Sequence, residues 1–103
     1  MTEKVTAGRD AMGEFAPKFA ALNDDVLFGE VWSRAAQLSA RDRSIVTVTA
    51  LLSTGSLDSS LEHHIRRAKA NSVTAEVITH AAFYSGWPKA WGALRIAKDV
   101  YAE

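Results

Sequence analysis

Cysteine is absent from the 103 residues. Disulfides, thiolate metal sites and every mechanism built on a sulfur nucleophile are therefore excluded for this chain. Proline occurs only at Pro17 and Pro88, so backbone breaks are few. No apolar run approaches the ~18 residues of a membrane-spanning helix, and no membrane partner is expected. Met1-Thr2-Glu3-Lys4 lacks the apolar stretch of a signal peptide, which sets the expectation of a cytoplasmic protein. Neither sign of charge prevails, because 12 basic and 12 acidic residues cancel. Nucleic-acid binders usually carry a basic stripe, so no nucleic acid is expected either. The phosphate-cradling glycine motifs, the G-x-S-x-G elbow and the His-Glu-x-x-His zinc pattern are all missing. His63 and His64 are neighbours, and neighbouring helical side chains point about 100° apart, so no metal site is expected.

Apolar residues make up 48% of the chain, enough for a core and for one domain spanning residues 1–103. The pattern is helical throughout. A first segment at about residues 3–16 has Met12, Phe15 and Phe19 on one side and is interrupted by Pro17. Asn23-Asp24-Asp25 is expected to form a turn and cap leading into a short helix over 26–34. Ser39, with Asp42 in capping-box position, opens a helix over 40–53 whose face is Ile45, Val48 and Leu52, widened by Val46 and Ala50. Gly55 ends it. The next helix starts at Asp58 or Ser59 and ends near Asn71, and Thr74 caps another that runs to Ser85. Gly86-Trp87-Pro88 is a break. The last helix carries Ala90, Ala93, Leu94, Ala97 and Tyr101 as a small-residue stripe that lets a partner helix approach closely. No hairpin signal or period-2 run occurs. The expectation is an all-α bundle of about six helices.

Several residues are candidates for chemistry. Leu61, His64, Ile65 and Ala68 recur at i, i+3, i+4 and i+7, which puts His64 on an apolar stripe and turns His63 towards Arg66 and Arg67. A histidine so placed either serves as acid or base near neutral pH or is a structural imidazole tied to the backbone. His80 and Tyr84 pair at i, i+4 and either line a pocket or pack a helix interface. Arg41 and Arg43 lie in the first turn of their helix, where cations oppose the macrodipole unless an anion is near. Glu30 and Arg34 have the spacing of a helical salt bridge. Trp32, Trp87 and Trp91 are numerous for this length and suit a core, a pocket wall or a subunit contact.

Taken in order, these segments resemble a known family. Gly29-Glu30-Val31-Trp32-Ser33-Arg34 precedes Leu38-Ser39-Ala40-Arg41-Asp42-Arg43-Ser44; His64-Ile65-Arg66-Arg67-Ala68 and Asn71-Ser72-Val73-Thr74 follow; then comes Thr79-His80-Ala81-Ala82-Phe83-Tyr84-Ser85-Gly86-Trp87-Pro88-Lys89-Ala90. This resembles the carboxymuconolactone decarboxylase family, which shares its fold with the alkylhydroperoxidase D-like proteins. The similarity is strongest over residues 26–100. Two departures stand out. Ser72 occupies a helix C-cap where the family usually has glycine, which leaves Asn71 to take the left-handed conformation. The stretch from Thr74 to His80 is also short by about one helical turn.

The resemblance implies a homo-oligomer, trimer or hexamer, with sites near subunit interfaces and no cofactor. The peroxidase-like branch of the fold needs a C-x-x-C pair, and this chain has Leu57 and Ser60 or their neighbours there. The decarboxylase branch keeps a histidine that matches His64. It implies a lyase of aromatic degradation acting on a small carboxylated lactone or related acid. His64, Glu30 and Arg43 are then expected as catalytic residues, and Trp32, Arg34, His80, Tyr84 and Trp87 as substrate-binding ones. The alternatives are a related enzyme with another small substrate, and a non-catalytic ligand-binding or assembly protein on the same fold.

Overall fold

A computed structural model describes residues 4–103. Among the described residues there are six α-helices and no strand. The helices are α1 (Ala7–Met12), α2 (Pro17–Ala21), α3 (Ala40–Ser53), α4 (Ser59–Ala70), α5 (Glu76–Ser85) and α6 (Trp87–Ala102), with a π-helical stretch, Leu22–Val31, after α2. The all-α expectation therefore holds. Contacts divide the chain into two compact units, Met1–Ser39 and Ala40–Glu103.

The first unit departs from its expected layout. Pro17 does not merely interrupt a helix. It occupies the first turn of α2, where its missing N–H costs nothing. Asn23, Asp24 and Asp25 form no turn; α2 runs straight into the π-helical stretch, which closes with Trp32 N–H donating to the Leu27 carbonyl at 2.9 Å, five residues back. The three polar residues can stay helical because their side chains are used elsewhere. The buried Asp24 carboxylate accepts from the backbone N–H groups of Gly8 at 2.7 Å and Arg9 at 3.0 Å, capping α1 from across the chain. Arg9 also grips Asp25 with both terminal nitrogens, at 2.9 and 2.8 Å. Gly8 makes this approach possible, since a Cβ there would stand 2.7 Å from the Asp24 Oδ1. Met12, Phe15 and Phe19 do not form a core side; Phe15 is 88% and Phe19 63% exposed.

The second unit is a four-helix bundle. α3 and α6 each pack against both α4 and α5 and touch one another, whereas the backbones of α4 and α5 do not approach closely. Its core takes Val48 and Leu52 from α3, Leu61, Ile65 and Ala68 from α4, Ile78, Ala81 and Ala82 from α5, and Ala90, Ala93, Ala97 and Val100 from α6. The alanine stripe of α6 is wholly buried, which explains how one helix contacts three neighbours. The face of α3 is narrower than expected, because Val46 and Ala50 are exposed.

Local chemistry sets the boundaries. Asp58 caps α4 by accepting from the Ser60 N–H at 3.0 Å. At the other end Ser72, not Asn71, takes the left-handed conformation, with φ of 66°. Val73 N–H reaches back to the Ala68 carbonyl at 2.9 Å and Ser72 N–H to Lys69 at 3.1 Å, which is a Schellman closure. Asn71 is employed differently: its Nδ2 donates to the buried Ser44 hydroxyl at 2.9 Å, tying the end of α4 to the start of α3. Thr74 does not cap α5, which begins after Ala75 without a side-chain cap. Gly86, with φ of 108° and ψ of 138°, separates α5 from α6 in a conformation that only glycine adopts without strain.

Candidate active site

His64 sits one turn after Leu61 on α4 and beside Ile65, at the margin of the buried stripe. It is half-buried with its Nδ1 atom fully covered, while His63 is exposed, as the helical register requires. The two rings meet edge to face with centroids 5.0 Å apart. The His64 pKa is pushed down to about 4, chiefly because burial penalises the imidazolium, with the charges of His63 and Arg67 adding to the effect. At neutral pH this ring is therefore uncharged, with one N–H to donate and one lone pair to accept. Arg67 was not singled out from the sequence. It is half-buried, with its Nε covered, one turn beyond His64. The signal that could have found it is its i, i+3 spacing from His64.

Arg43 is half-buried in the first turn of α3, the helix that packs against α4. The neighbouring Arg41 pairs with Asp42 at 3.7 Å on the exposed surface, which relieves its unfavourable position in the helix dipole only slightly.

His80 and Tyr84 do come together on α5, with ring centroids 5.5 Å apart, and Phe83 meets Trp87 edge to face at 5.8 Å. Both members of the first pair are exposed. Trp87 and Trp91 wall an apolar pocket of about 110 Å³ with Thr79, Ala82, Ala90 and Leu94. Neither His64 nor Arg43 lines it. Within one chain His64 and Tyr84 stand on helices whose backbones do not approach closely, although Ile65 and Ala68 of α4 and Val77 and Ile78 of α5 line one small cavity.

Glu30, Trp32 and Arg34 belong to the first unit. Trp32 is half-buried and stacks on Phe28 with centroids 6.1 Å apart and planes at 21°. Glu30 and Arg34 are exposed, and between them the Ser33 hydroxyl donates to the carbonyls of Gly29 and Glu30. Among the described residues no cluster of three His, Asp or Glu could hold a metal ion, and no helix is long and apolar enough to cross a membrane.

The second unit is thus an all-helical bundle with one half-buried, uncharged histidine and no thiol. Comparison with known proteins gives it a family. The model of the carboxymuconolactone decarboxylase family matches residues 17–99. The chain is also 32% identical over 103 residues to the 4-carboxymuconolactone decarboxylase of Acinetobacter baylyi, covering 96% of this chain and 75% of that protein. The chain belongs to the carboxymuconolactone decarboxylase family.

Proposed function

We propose that the protein is a cofactor-free carboxy-lyase acting on a small carboxylated lactone or a related acid, with His64 at its centre. Family membership supports the reaction class. The observation that carries the mechanism is the uncharged, half-buried His64. In such a reaction the carboxylate carbon leaves as CO2, its bonding electrons pass through the conjugated system to the lactone carbonyl, and carbon is protonated afterwards. A neutral imidazole is suited to donating its N–H to the developing oxyanion, a role that strengthens as charge gathers on the oxygen. It is less suited to being the proton reservoir at neutral pH, since little imidazolium exists to supply one. Carbon then takes its proton from solvent, and holding the substrate anion falls to Arg43, which stands on the bundle that carries His64.

The same reading makes the protein a homo-oligomer, a trimer or hexamer, in which a second copy brings His80, Tyr84 and Trp87 towards His64. The separation of α4 from α5 within one chain and the exposure of those aromatic side chains support it.

The test is CO2 release from 4-carboxymuconolactone by the purified chain. His64→Ala is expected to lower kcat by about 10²–10⁴-fold, the range of a positioned acid–base group. Arg43→Gln is expected to raise KM, and His63→Ala to change little. Full activity in His64→Ala would overturn the proposed centre. An intact assembly with no turnover would point instead to a non-catalytic ligand-binding protein.

A further inference from the structure

We propose that the outer face of α6 carries a second binding site, for a small planar organic carboxylate, with Arg95 and Lys98 taking the anionic end, Trp91 the flat body and Tyr101 closing the far end of the groove. Trp91, Arg95, Lys98 and Tyr101 fall on one side of α6 at i, i+4, i+7 and i+10, and they wall an open groove of about 480 Å³ floored by Ala97. That is within the size range of small-ligand sites. None of the residues expected at the acid–base centre lines it.

Three features say what it would hold. First, the cations are available. Among the described residues neither Arg95 nor Lys98 forms an ion pair, whereas Arg9, Arg41 and Arg66 are each matched by a carboxylate. Second, the guanidinium is oriented. Arg95 lies over the Trp91 ring, 5.4 Å from its centroid, so the forked donor edge is presented beside a flat apolar wall. A carboxylate accepts from such a fork through two parallel hydrogen bonds, which a spherical halide cannot do. Third, the far wall is rigid. The Tyr101 hydroxyl donates to the Val73 carbonyl at 2.5 Å, which fixes the ring, and Lys69 stands 6.0 Å from its centroid. The flat Trp91 face beside the Arg95 guanidinium suits a planar body better than a branched one. The order of charge and surface thus selects a conjugated or aromatic ring bearing a carboxylate.

The experiment is titration of the full chain with benzoate, read from the indole N–H resonance of Trp91, assigned with Trp91→Phe. Saturable one-to-one shifts are expected. The double variant Arg95→Gln/Lys98→Gln should weaken the affinity at least about tenfold, the loss typical of removing charged hydrogen-bond partners. Benzyl alcohol, which has the ring without the charge, and sulfate, which has the charge without the ring, should each bind more weakly than benzoate. His64→Ala should bind benzoate as the native chain does, which separates this site from the acid–base centre whatever that centre proves to do. Absence of a saturable shift at about 10 mM benzoate would overturn the proposal. So would an affinity unchanged in the double variant, or one lost in His64→Ala.

Discussion

His64 has a protonation cost that should be visible without any substrate. Its pKa in the folded chain is about 4 against an ordinary 6.5. Between those values the unfolded chain binds a proton that the folded chain refuses, so stability falls as the pH drops from 6.5 towards 4. Above the window the group contributes no slope, and below it the cost no longer grows. Denaturant midpoints of the native chain should decline across this window, and those of His64→Gln should decline less. Equal slopes would mean that the imidazole is not desolvated. A second residue-scale outcome concerns Ser72. A non-glycine residue in the left-handed region costs about 1–2 kcal/mol, so Ser72→Gly should stabilise the bundle by about 1 kcal/mol in urea denaturation. A loss of stability would mean that the Ser72 side chain contributes something beyond the turn. The substitution also restores the residue type that the family usually has there.

At the scale of elements, the cap supplied by Asp24 holds the first unit's layout. Burial pushes its carboxyl pKa up, but the hydrogen bonds from Asn23, Arg9 and Gly8, with the charge of Arg9, outweigh that and leave it below the ordinary value. Asp24→Ala should speed amide exchange at Gly8 and Arg9 and lower the melting temperature. Unchanged exchange at those amides would show that α1 does not depend on the cap. Little of this was legible in the sequence. A run of Asn, Asp and Asp looks like a turn because such side chains usually satisfy their own backbone nearby. Here Asp24 satisfies a backbone 15 and 16 residues away, with Asn23 donating to Asp24 and Asp25 pairing with the Arg9 guanidinium, and no local rule reports such distant partners. The π-helical stretch is invisible for a related reason, since its distinguishing mark is a hydrogen-bond register and not a composition. The bundle of α3 to α6 was far more legible. Its buried residues repeat at helical spacing, its breaks fall at Gly55, Asp58 and Gly86, and the alanine stripe of α6 announces close packing. Even the ranking of His64 over His63 follows from register alone. Register also sets Arg67 one turn beyond His64, but its effect on the imidazole is a matter of charge and burial together, which spacing does not report.

At the scale of the whole molecule, several large aromatic side chains stand exposed. Phe83 is 75% and Tyr84 83% exposed, and Trp87 is more than half exposed, all on α5 and the first turn of α6. Contiguous aromatic surface of this sort marks an interaction site. The proposed function assigns it to a second copy, which would cover α5 and place Tyr84 beside His64, whose own helix α4 makes no close backbone approach to α5. Light scattering should then find no monomer at micromolar concentration. The most direct measurement of this shared site is a mixing experiment with two inactive chains, His64→Ala and Tyr84→Phe, denatured together and refolded. If each site draws its histidine from one copy and its tyrosine from another, random assembly restores both native groups at about a quarter of the sites. CO2 release from 4-carboxymuconolactone should then recover to about a quarter of the native rate. A mixture no more active than its two components would contradict the shared site.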